Sequence, residues 1–586
     1  MDKQLEQNNE LIGEIMNVQL IIKNLNVYNS YFKKFIKGDV IIHEGKFIHI
    51  GTNYEDRLQS ENIIDGKNQY MVPGLIDIHM HIESSMTIPS EFSKAVIKQG
   101  VTTVVADPHE IANVFGIDGI KEFLKEDEKL DIFYGIPSSV PSTNSNLETT
   151  GGKIDVEEVK ELLNYDKVLC LGEVMNFKEL IEDEYSNINN IISVVKNNKN
   201  NIPLEGHCPK ISGVDLSLYL NSGVNGDHTQ QSVESLEEKI KNGMFIEVQH
   251  KSMTKENIDF LVDNNLYEHF CLATDDVMAD KLLYGHLNNL VKEAVRLGMS
   301  IEDAIYVSTY TPARRMGLFD RGSIAPGKIS DFILLSDLES FKIESVYKNG
   351  EIVYSKKSGI REEHFNNKTN IRSDFYNSIK LSKITKDDLI VKVPSKFKDN
   401  VTCRTMKISQ KTTFTKEEEI TLNIKNGELD WQNNDCALIA IFERYGKNNN
   451  VSFGLVKGSI IKKGAIATTW AHDHHNLMVM GRNINDMVVA ANKVIELCGG
   501  YVVVNERNVL DELSLPIGGI ISDKPIEVLG NKLSLVRKAM KNLGYDHMNE
   551  IMSFSTLSLP VSPEFKITDK GLIDVRKNEI VSLFKN

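Results

Sequence analysis

The sequence of 586 residues predicts an α/β protein with a (β/α)8 barrel, a small composite β domain and a C-terminal mixed α/β domain. Eight short apolar segments between residues 73 and 319 alternate with helical or loop-like stretches, as the strands of a closed parallel barrel require. Short strand patterns with Gly turns occur on both sides of this region. Histidines and acidic residues stand at the ends of several apolar segments, where barrel enzymes carry their chemistry.

The elements follow in a definite order. Residues 1–72 comprise a polar leader and a strand meander, formed by LIIKNLNVY and DVIIHEGKFIHIG. The barrel segments of residues 73–319 are GLIDIH, VTTVVAD, IFYGIP, VLCLGEV, IPLEGH, VNGDH, MFIEVQH and FCLATDD. Residues 320–360 return to short strands, and we expect them to pair with the meander because the chain ends of a domain often lie close together. The polar residues 361–387 are predicted as a linker, and residues 388–586 as a C-terminal domain whose fold the pattern does not give.

Composition and charge exclude several classes of function. Hydrophobic residues make up 41% and charged residues 25%, which is ordinary for a globular protein. The net charge of −15 repels phosphate backbones, so nucleic acid is not an expected partner. The sequence has no secretory leader and no apolar run of about 18 residues, which predicts a cytoplasmic protein without a membrane contact. Six cysteines without CxxC spacing are interpreted as packing residues. Separately, we expect a homo-oligomer, namely a dimer.

The strongest chemical signal is the pair His79 and His81, at the end of the segment GLIDIHMH. In a strand, residues i and i+2 point to the same side, so both imidazoles can bind one cation at the mouth of a barrel. An HxH pair alone is also compatible with packed or surface histidines. The later segments end in further residues of the ligand type, namely Glu173, His207, His228 and Asp275. Such residues at the ends of so many different strands favour a metal site over chance.

Several motifs resemble known proteins. The segment MVPGLIDIHMHIESS is similar to the first barrel strand of the amidohydrolase superfamily, and TPARRMGLFDRGSIAPGKISDFILL is similar to its closing segment, including Gly317, Gly322, Gly327 and Asp331. The blocks ADPHEIANV, LGEVMN, EGHCP, GDHTQ, TDD with YGH, and LVKGSIIKKGAIATTWAHDHHNLMVMG resemble the adenine deaminases of that superfamily. In the last block, His474 stands where the resemblance would place Ser, so a family role is not carried over to it.

The resemblance implies two divalent cations that share one carboxylate. One cation would be held by His79, His81 and Asp275 and the other by His207 and His228, with Glu173 as the bridge in place of the carboxylated lysine of many relatives. The cations outweigh the charge of two carboxylates and a bridging hydroxide, which leaves a slightly electropositive pocket. Imidazole and carboxylate ligands suit Zn, Mn and Fe(II) alike, and the resemblance favours Mn, with Fe(II) next.

Further candidates surround this set. Asp107, His109 and Glu110 follow the second apolar segment, and a helix start at the Asp-Pro step is the alternative to a place at the barrel mouth. Glu83 and Ser84 follow the HxH motif and could contact the substrate or stabilise a loop. We assign Asp107 and Glu110 to catalysis, together with Asp275, and the other three to substrate binding.

A polar cluster follows the apolar run AIATTWA and consists of His472, Asp473, His474, His475 and Asn476. It could bind an extra metal ion, reach the barrel mouth from the C-terminal domain, or stabilise a turn. The sequence leaves these three alternatives open. His286, in YGH, is interpreted as a packing or positioning residue.

The resemblance implies hydrolytic deamination of a small purine base, adenine, to hypoxanthine and ammonia by a hydroxide that bridges the two cations. Asp275 would carry a proton to the departing amine, and acid-base help of this kind is worth about 10²–10⁴-fold. Glu110, alone or with Asp107, would protonate the ring nitrogen, which requires a carboxyl pKa raised by neighbouring acids. One alternative is a cyclic-amide hydrolase of the dihydroorotase or hydantoinase kind, against which the missing bridging lysine counts. Another is a non-catalytic scaffold, which would have lost ligands.

Overall fold

The computed structural model describes residues 15–125, 128–198, 202–365 and 371–585, so most of the predicted leader lies outside the described residues. Eight parallel strands lie at its centre. They are β1 (Leu75–Met80), β2 (Val101–Ala106), β3 (Asp131–Ile136), β4 (Val168–Val174), β5 (Leu204–Gly206), β6 (Gly226–Asp227), β7 (Phe245–Val248) and β8 (Phe270–Leu272). Strands β1 to β5 pair in sequence order, and so do β6 to β8.

Backbone hydrogen bonds close this strand set into a barrel. Between β5 and β6, Asn225 N donates to Leu204 O at 3.0 Å, and beyond β8 Asp275 N donates to His79 O on β1 at 3.0 Å. All residues of β1 and β2 are buried, as expected for parallel strands covered on both faces. The predicted (β/α)8 barrel is therefore confirmed.

Helices pack around the barrel in the stretches between the strands and after β8. Four of them begin at a side-chain cap, because Asn176, Ser232, Thr254 and Ser300 each accept a hydrogen bond from the backbone amide three residues further on. The helices are Pro89–Ile97, His109–Phe115, Ile117–Leu124, Val156–Leu162, Phe177–Glu182, Asn187–Asn198, Gly213–Asn221, Val233–Lys241, Lys255–Asp263, Ala279–Leu282, Leu287–Arg296, Ile301–Tyr306 and Tyr310–Arg315.

A mixed sheet joins the two ends of the barrel region. Its antiparallel centre pairs Phe332 with Pro73 and Leu335 with Tyr70, so strands before and after the barrel share one sheet. Among the described residues its nine strands are Leu20–Asn29, Lys34–His43, Lys46–Gly51, Ile63–Asp65, Tyr70–Pro73, Phe332–Asp337, Lys342–Lys348, Glu351–Ser355 and Gly359–Ile360.

The C-terminal part contains a second nine-stranded sheet. Its strands are Asn400–Ile408, Thr415–Lys425, Glu428–Asp430, Ala437–Phe442, Val451–Gly458, Ala465–Thr468, Leu477–Gly481, Gly500–Asn505 and Asn508–Ser514. Helices Ile484–Glu496, Ile526–Asn542 and Glu550–Ser555 and the small sheet Phe565–Thr568, Gly571–Asp574 and Glu579–Val581 complete it. The strand Ala437–Phe442 is buried at every position, which places it at the centre of a covered sheet.

The C-terminal part packs against the barrel at the end that carries the site. Ser522 N donates to Met86 O at 3.0 Å, just beyond the HxH segment. One hydrophobic cluster contains both Ile111, which follows β2, and Trp470 of the C-terminal sheet. Within the stretch predicted as a linker, Phe375 is buried and its ring stacks on Phe115 with centroids 3.9 Å apart, so this residue packs against the barrel.

Among the described residues, no helix combines the length and the apolar composition that crossing a membrane requires.

Candidate active site

The HxH motif and Asp275 meet at the carboxyl end of the barrel. The imidazoles of His79 and His81 are buried, with ring centroids 5.2 Å apart. The backbone hydrogen bond from Asp275 to His79 brings the ends of β8 and β1 together. As a result, Asp275 Oδ1 lies 3.4 Å from His81 Nε2 and 3.8 Å from His79 Nε2.

Glu173, at the end of β4, lies between this group and a second pair of histidines. Its Oε1 is 3.4 Å from His81 Nε2. Its Oε2 is 2.7 Å from His207 Nδ1 and 3.3 Å from His228 Nε2. All six predicted metal residues therefore converge on one site, and Glu173 offers one oxygen to each half of it.

These side chains fit two divalent cations. His79, His81 and Glu173 present ligand atoms within 4.8 Å of one another, and so do Glu173, His207 and His228. His79 Nε2 is buried and has no hydrogen-bond partner, which is costly for a polar atom unless a ligand satisfies it. Imidazole nitrogen and carboxylate oxygen are donors that Zn, Mn and Fe(II) all accept. The two donor groups share Glu173, as a bridging carboxylate requires.

The protonation states of the donors agree in part with metal binding. Burial and the neighbouring His228 hold the pKa of His79 well below its ordinary value, so this ring is neutral. Burial acts to raise the pKa of Glu173, but His228 and His207 lower it well below its usual range. His81 differs, because Asp275 and Glu173 outweigh burial and raise its pKa. A proton held in this way is one that a bound cation would displace.

The Asp-Pro-His-Glu segment supports Glu173 from the side of β2. Asp107 Oδ2 accepts a hydrogen bond of 2.8 Å from Glu173 N. A Cβ atom on Gly172 would lie 2.3 Å from that oxygen, so only glycine permits the approach. A helix does start directly after the Asp-Pro step, at His109, but Asp107 does not cap it, since Pro108 is the N-cap and no side-chain cap bond is present.

His109 lies at the side of Glu173, close to the metal residues. Its Nδ1 is 3.6 Å from Glu173 Oε1 and 3.5 Å from Asp107 Oδ1. Burial lowers the pKa of His109, but the neighbouring Asp107 carboxylate outweighs burial and raises it to about 10. The ring also approaches Glu110, with Nε2 3.8 Å from Glu110 Oε1, so His109 lies between the metal residues and Glu110.

Glu110 meets the polar cluster of the C-terminal part. Its Oε1 contacts His472 Nδ1 and its Oε2 contacts His475 Nε2. Three alternatives were open for that cluster. The contacts with Glu110 agree with the second of them, in which the cluster reaches the barrel mouth from the C-terminal domain. The expected rise in the pKa of Glu110 is wrong: burial raises it, but His472 and His475 lower it well below its ordinary value.

Glu83 and Ser84 lie in the short 3-10 turn Ile82–Ser85 after the HxH motif. Glu83 Oε1 accepts a hydrogen bond of 3.1 Å from Ile111 N, whereas Oε2 is buried without a partner. Burial raises the pKa of Glu83 to about 7. Ser84 Oγ donates to Asp276 Oδ1. Glu83 thus has a free oxygen for a substrate, while the Ser84 hydroxyl is already engaged.

Two residues near the site were not among the sequence candidates. Glu247 on β7 lies below the histidines, with Oε2 4.0 Å from His79 Nδ1 and both of its buried oxygens without a hydrogen-bond partner. An acidic residue inside the apolar segment MFIEV is the signal that could have revealed it. Lys251, after β7, has its Nζ 3.6 Å from Asp275 Oδ2.

His286, predicted as a packing or positioning residue, lies beside the end of β8. Its Nε2 is 3.2 Å from Thr274 Oγ1, and its Nδ1 is 3.8 Å from Asp77 Oδ2. Because Thr274 directly precedes Asp275, His286 supports the end of β8. It lies outside the group of metal residues.

The fold and the site define a metal-dependent hydrolase of the amidohydrolase family, whose sequence profile matches residues 70–353. Residues 412–579 match the adenine deaminase C-terminal domain. An adenine deaminase of Clostridium perfringens is 71% identical over 570 residues, covering 97% of this chain and 100% of the relative. Adenine deaminase 2 of Oenococcus oeni is 48% identical over 569 residues, covering 97% of this chain and 99% of the relative. The chain belongs to the adenine deaminase family.

Among solved structures, the β-aspartyl dipeptidase of Fervidobacterium islandicum is 21% identical, with a TM-score of 0.45. The match covers 60% of this chain and 100% of that one.

Proposed function

We propose that the site hydrolyses adenine to hypoxanthine and ammonia, with two cations held by the six converging side chains. The observation that carries this proposal is the placement of Glu173, which offers one oxygen to His81 at 3.4 Å and the other to His207 at 2.7 Å. A single buried carboxylate shared by two donor groups is what a binuclear hydrolase needs. Glu110, in the helix that follows β2, supplies a second carboxyl that is not among the metal residues.

His79, His81 and Asp275 would hold one cation, His207 and His228 the other, and Glu173 would bridge them. When bound, the cations supply Lewis acidity, which brings the ionisation of water close to neutral pH and makes it a nucleophile. We favour Mn because of the resemblance to adenine deaminases, with Fe(II) and Zn as the alternatives that the same donors accept.

Asp275 has the properties of the residue that moves the proton of the attacking water. Burial opposes its ionisation, but Lys251 and His81 lower the pKa of Asp275 well below its ordinary value, so it enters the reaction as a carboxylate. Water adds to the ring carbon that bears the amine, Asp275 takes a proton from it, and Asp275 then returns that proton to the amine. The carbon–nitrogen bond breaks and ammonia leaves.

Addition of water places a pair of electrons on the neighbouring ring nitrogen, and we assign the protonation of this nitrogen to Glu110. Neutralising that charge is the acid half of the catalysis. Asp107 is suited to a supporting role, because its Oδ2 is committed to Glu173 N. His109, and Glu83 through its unpartnered Oε2, would contact the purine, with Ser84 beside them.

Cytoplasmic location, a homo-dimer and the lack of nucleic-acid or membrane partners stay predictions. The net charge of −15 supports the exclusion of nucleic acid. Gel filtration with light scattering would test the dimer.

A product assay on the purified chain tests the proposed function. Adenine, dihydrouracil and hydantoin are supplied separately to the Mn-loaded protein, and hypoxanthine, ammonia and ring-opened products are quantified. We expect hypoxanthine and ammonia in equal amounts from adenine, and no ring opening. Ring opening of a cyclic amide without turnover of adenine would contradict the proposal and favour a cyclic-amide hydrolase. Inactivity on all three compounds would favour a non-catalytic scaffold.

A further inference from the structure

Glu110 of the barrel is held by two imidazoles from the far end of the chain. We propose that His472 and His475 position Glu110 and that His472 stores the proton which Glu110 delivers to the purine ring. The adenine deaminase C-terminal domain would then complete the active site of the barrel. This inference rests on the proposed function, in which Glu110 protonates the ring nitrogen.

The contacts fix both oxygens of one carboxyl group. His472 Nδ1 contacts Glu110 Oε1, and His475 Nε2 contacts Glu110 Oε2. Glu110 is 2% exposed, His472 is 4% exposed and His475 is fully buried. Because water is excluded, the two rings are the partners that decide how Glu110 is oriented and whether it carries a proton.

The segment that carries the two rings is held by its backbone. Arg444 Nε donates to His475 O, and Ser558 Oγ donates to His472 O at 2.9 Å. His472 N donates to Ser555 Oγ at 3.2 Å. These bonds leave the imidazoles free, so the backbone network presents both rings to Glu110.

The two rings differ in charge. Burial lowers the pKa of His472, but Glu110 and Asp473 outweigh burial and raise it well above its ordinary value. Burial keeps the pKa of His475 below its ordinary value despite the contact with Glu110. The cluster therefore holds one proton near neutral pH, and it resides on His472. The titratable and charged groups facing the cluster are His109, Asp473, His474, Arg444 and Tyr445.

The proton balance closes over one turnover. The proton of the His472 imidazolium moves to the Glu110 carboxylate, and Glu110 passes the same proton on to the ring nitrogen, where it stays on the product. Of the two protons of the attacking water, one leaves with ammonia. The other returns to the Glu110–His472 pair, so that adenine and water give hypoxanthine and ammonia with no net proton change.

Three variants separate storage of the proton from orientation. His472→Asn keeps an amide donor close to the Nδ1 position but cannot carry a proton, and His475→Gln keeps a donor close to the Nε2 position. His474→Ser is the matched control, because His474 lies in the same buried segment and its Nδ1 accepts from Asn476 N at 3.0 Å instead of contacting Glu110. Metal content and melting temperature are measured on each preparation.

We expect His472→Asn to lower kcat by about 10²-fold at pH 7 with little change in KM, and His475→Gln to lower it by less than about tenfold. Without the imidazolium, only His475 still opposes the effect of burial, so the pKa of Glu110 rises. Glu110 then carries its own proton at low pH and loses it as pH rises, so the alkaline limb of the kcat profile of His472→Asn should move to lower pH by at least about one unit. A merely structural role would lower kcat at every pH and leave the limb in place.

A second measurement does not depend on turnover. In protein labelled with ¹³C at the histidine Cε1 atoms, the resonance lost in His472→Asn but kept in His474→Ser belongs to His472. We expect it to remain that of a charged ring up to about pH 8, above the ordinary histidine pKa of about 6.5. Titration near the ordinary value, or an unmoved alkaline limb, would overturn the inference. Inactivity of the wild type on adenine would refute the proposed function instead, while the resonance still decides where the proton lies.

Discussion

Glu173→Gln is expected to lose both cations and adenine turnover together. The carboxylate of Glu173 offers one oxygen to each donor group, 3.4 Å from His81 Nε2 and 2.7 Å from His207 Nδ1. A neutral amide has one acceptor oxygen and cannot serve both. Because partners of metal ligands alone change affinity or activity by about 10–100-fold, loss of the bridge should lower both by about 10²-fold or more.

The exposed Glu182, on the helix that follows the same strand, provides the control Glu182→Gln. It should retain two cations per chain and the wild-type rate. Metal analysis and hypoxanthine formation are measured on both variants. Near wild-type turnover of Glu173→Gln with both cations retained would show that the bridge lies elsewhere.

Glu110→Gln should separate proton transfer from metal binding. Glu110 contacts His472 and His475 and none of the six proposed ligands, so the metal content is expected to stay at the wild-type level. The amide can neither accept the proton of His472 nor deliver one to the ring nitrogen, and the rate with adenine should fall by about 10²-fold or more. An analogue with a better leaving group at the same carbon should not restore the rate, because ring protonation assists addition.

Metal content, melting temperature and turnover are measured on one preparation of Glu110→Gln. The control is Asp118→Asn, an exposed carboxylate on the next helix, which should keep the wild-type rate. Unchanged turnover of Glu110→Gln would remove Glu110 from the mechanism. A loss of turnover that followed the loss of folded protein would make its role structural.

The barrel could be predicted from the sequence because each of its strands is a short apolar run followed by a helical stretch. Strand β1 reads LIDIHM and is buried throughout. The C-terminal sheet could not be predicted in the same way, since its strand order does not follow the chain. Asn400–Ile408 pairs in parallel with Val451–Gly458, while Ala437–Phe442 lies between Val451–Gly458 and Leu477–Gly481.

The site shows a similar contrast between residues that a local pattern brings together and contacts between distant parts of the chain. His79 and His81 stand two apart on one strand end, and barrel topology brings the later strand ends to them, so convergence could be expected from the sequence. The partner of Glu110 lies 365 residues away along the chain, in His475. Neighbouring acids in the sequence suggested a raised pKa for Glu110, but the imidazoles of His472 and His475, far away along the chain, lower it. Glu247 was missed because it lies inside the apolar segment MFIEV, whereas the candidates were taken from the ends of such segments.

Metal reconstitution tests the central claim, a binuclear adenine deaminase, most directly. The protein is stripped of metal and Mn is added stepwise while hypoxanthine and ammonia are measured from adenine. Six ligand side chains exceed the four that one cation commonly takes, so we expect no activity in the stripped protein and a rise that ends at about two equivalents per chain. Full activity at one equivalent, or activity that persists without metal, would contradict the account.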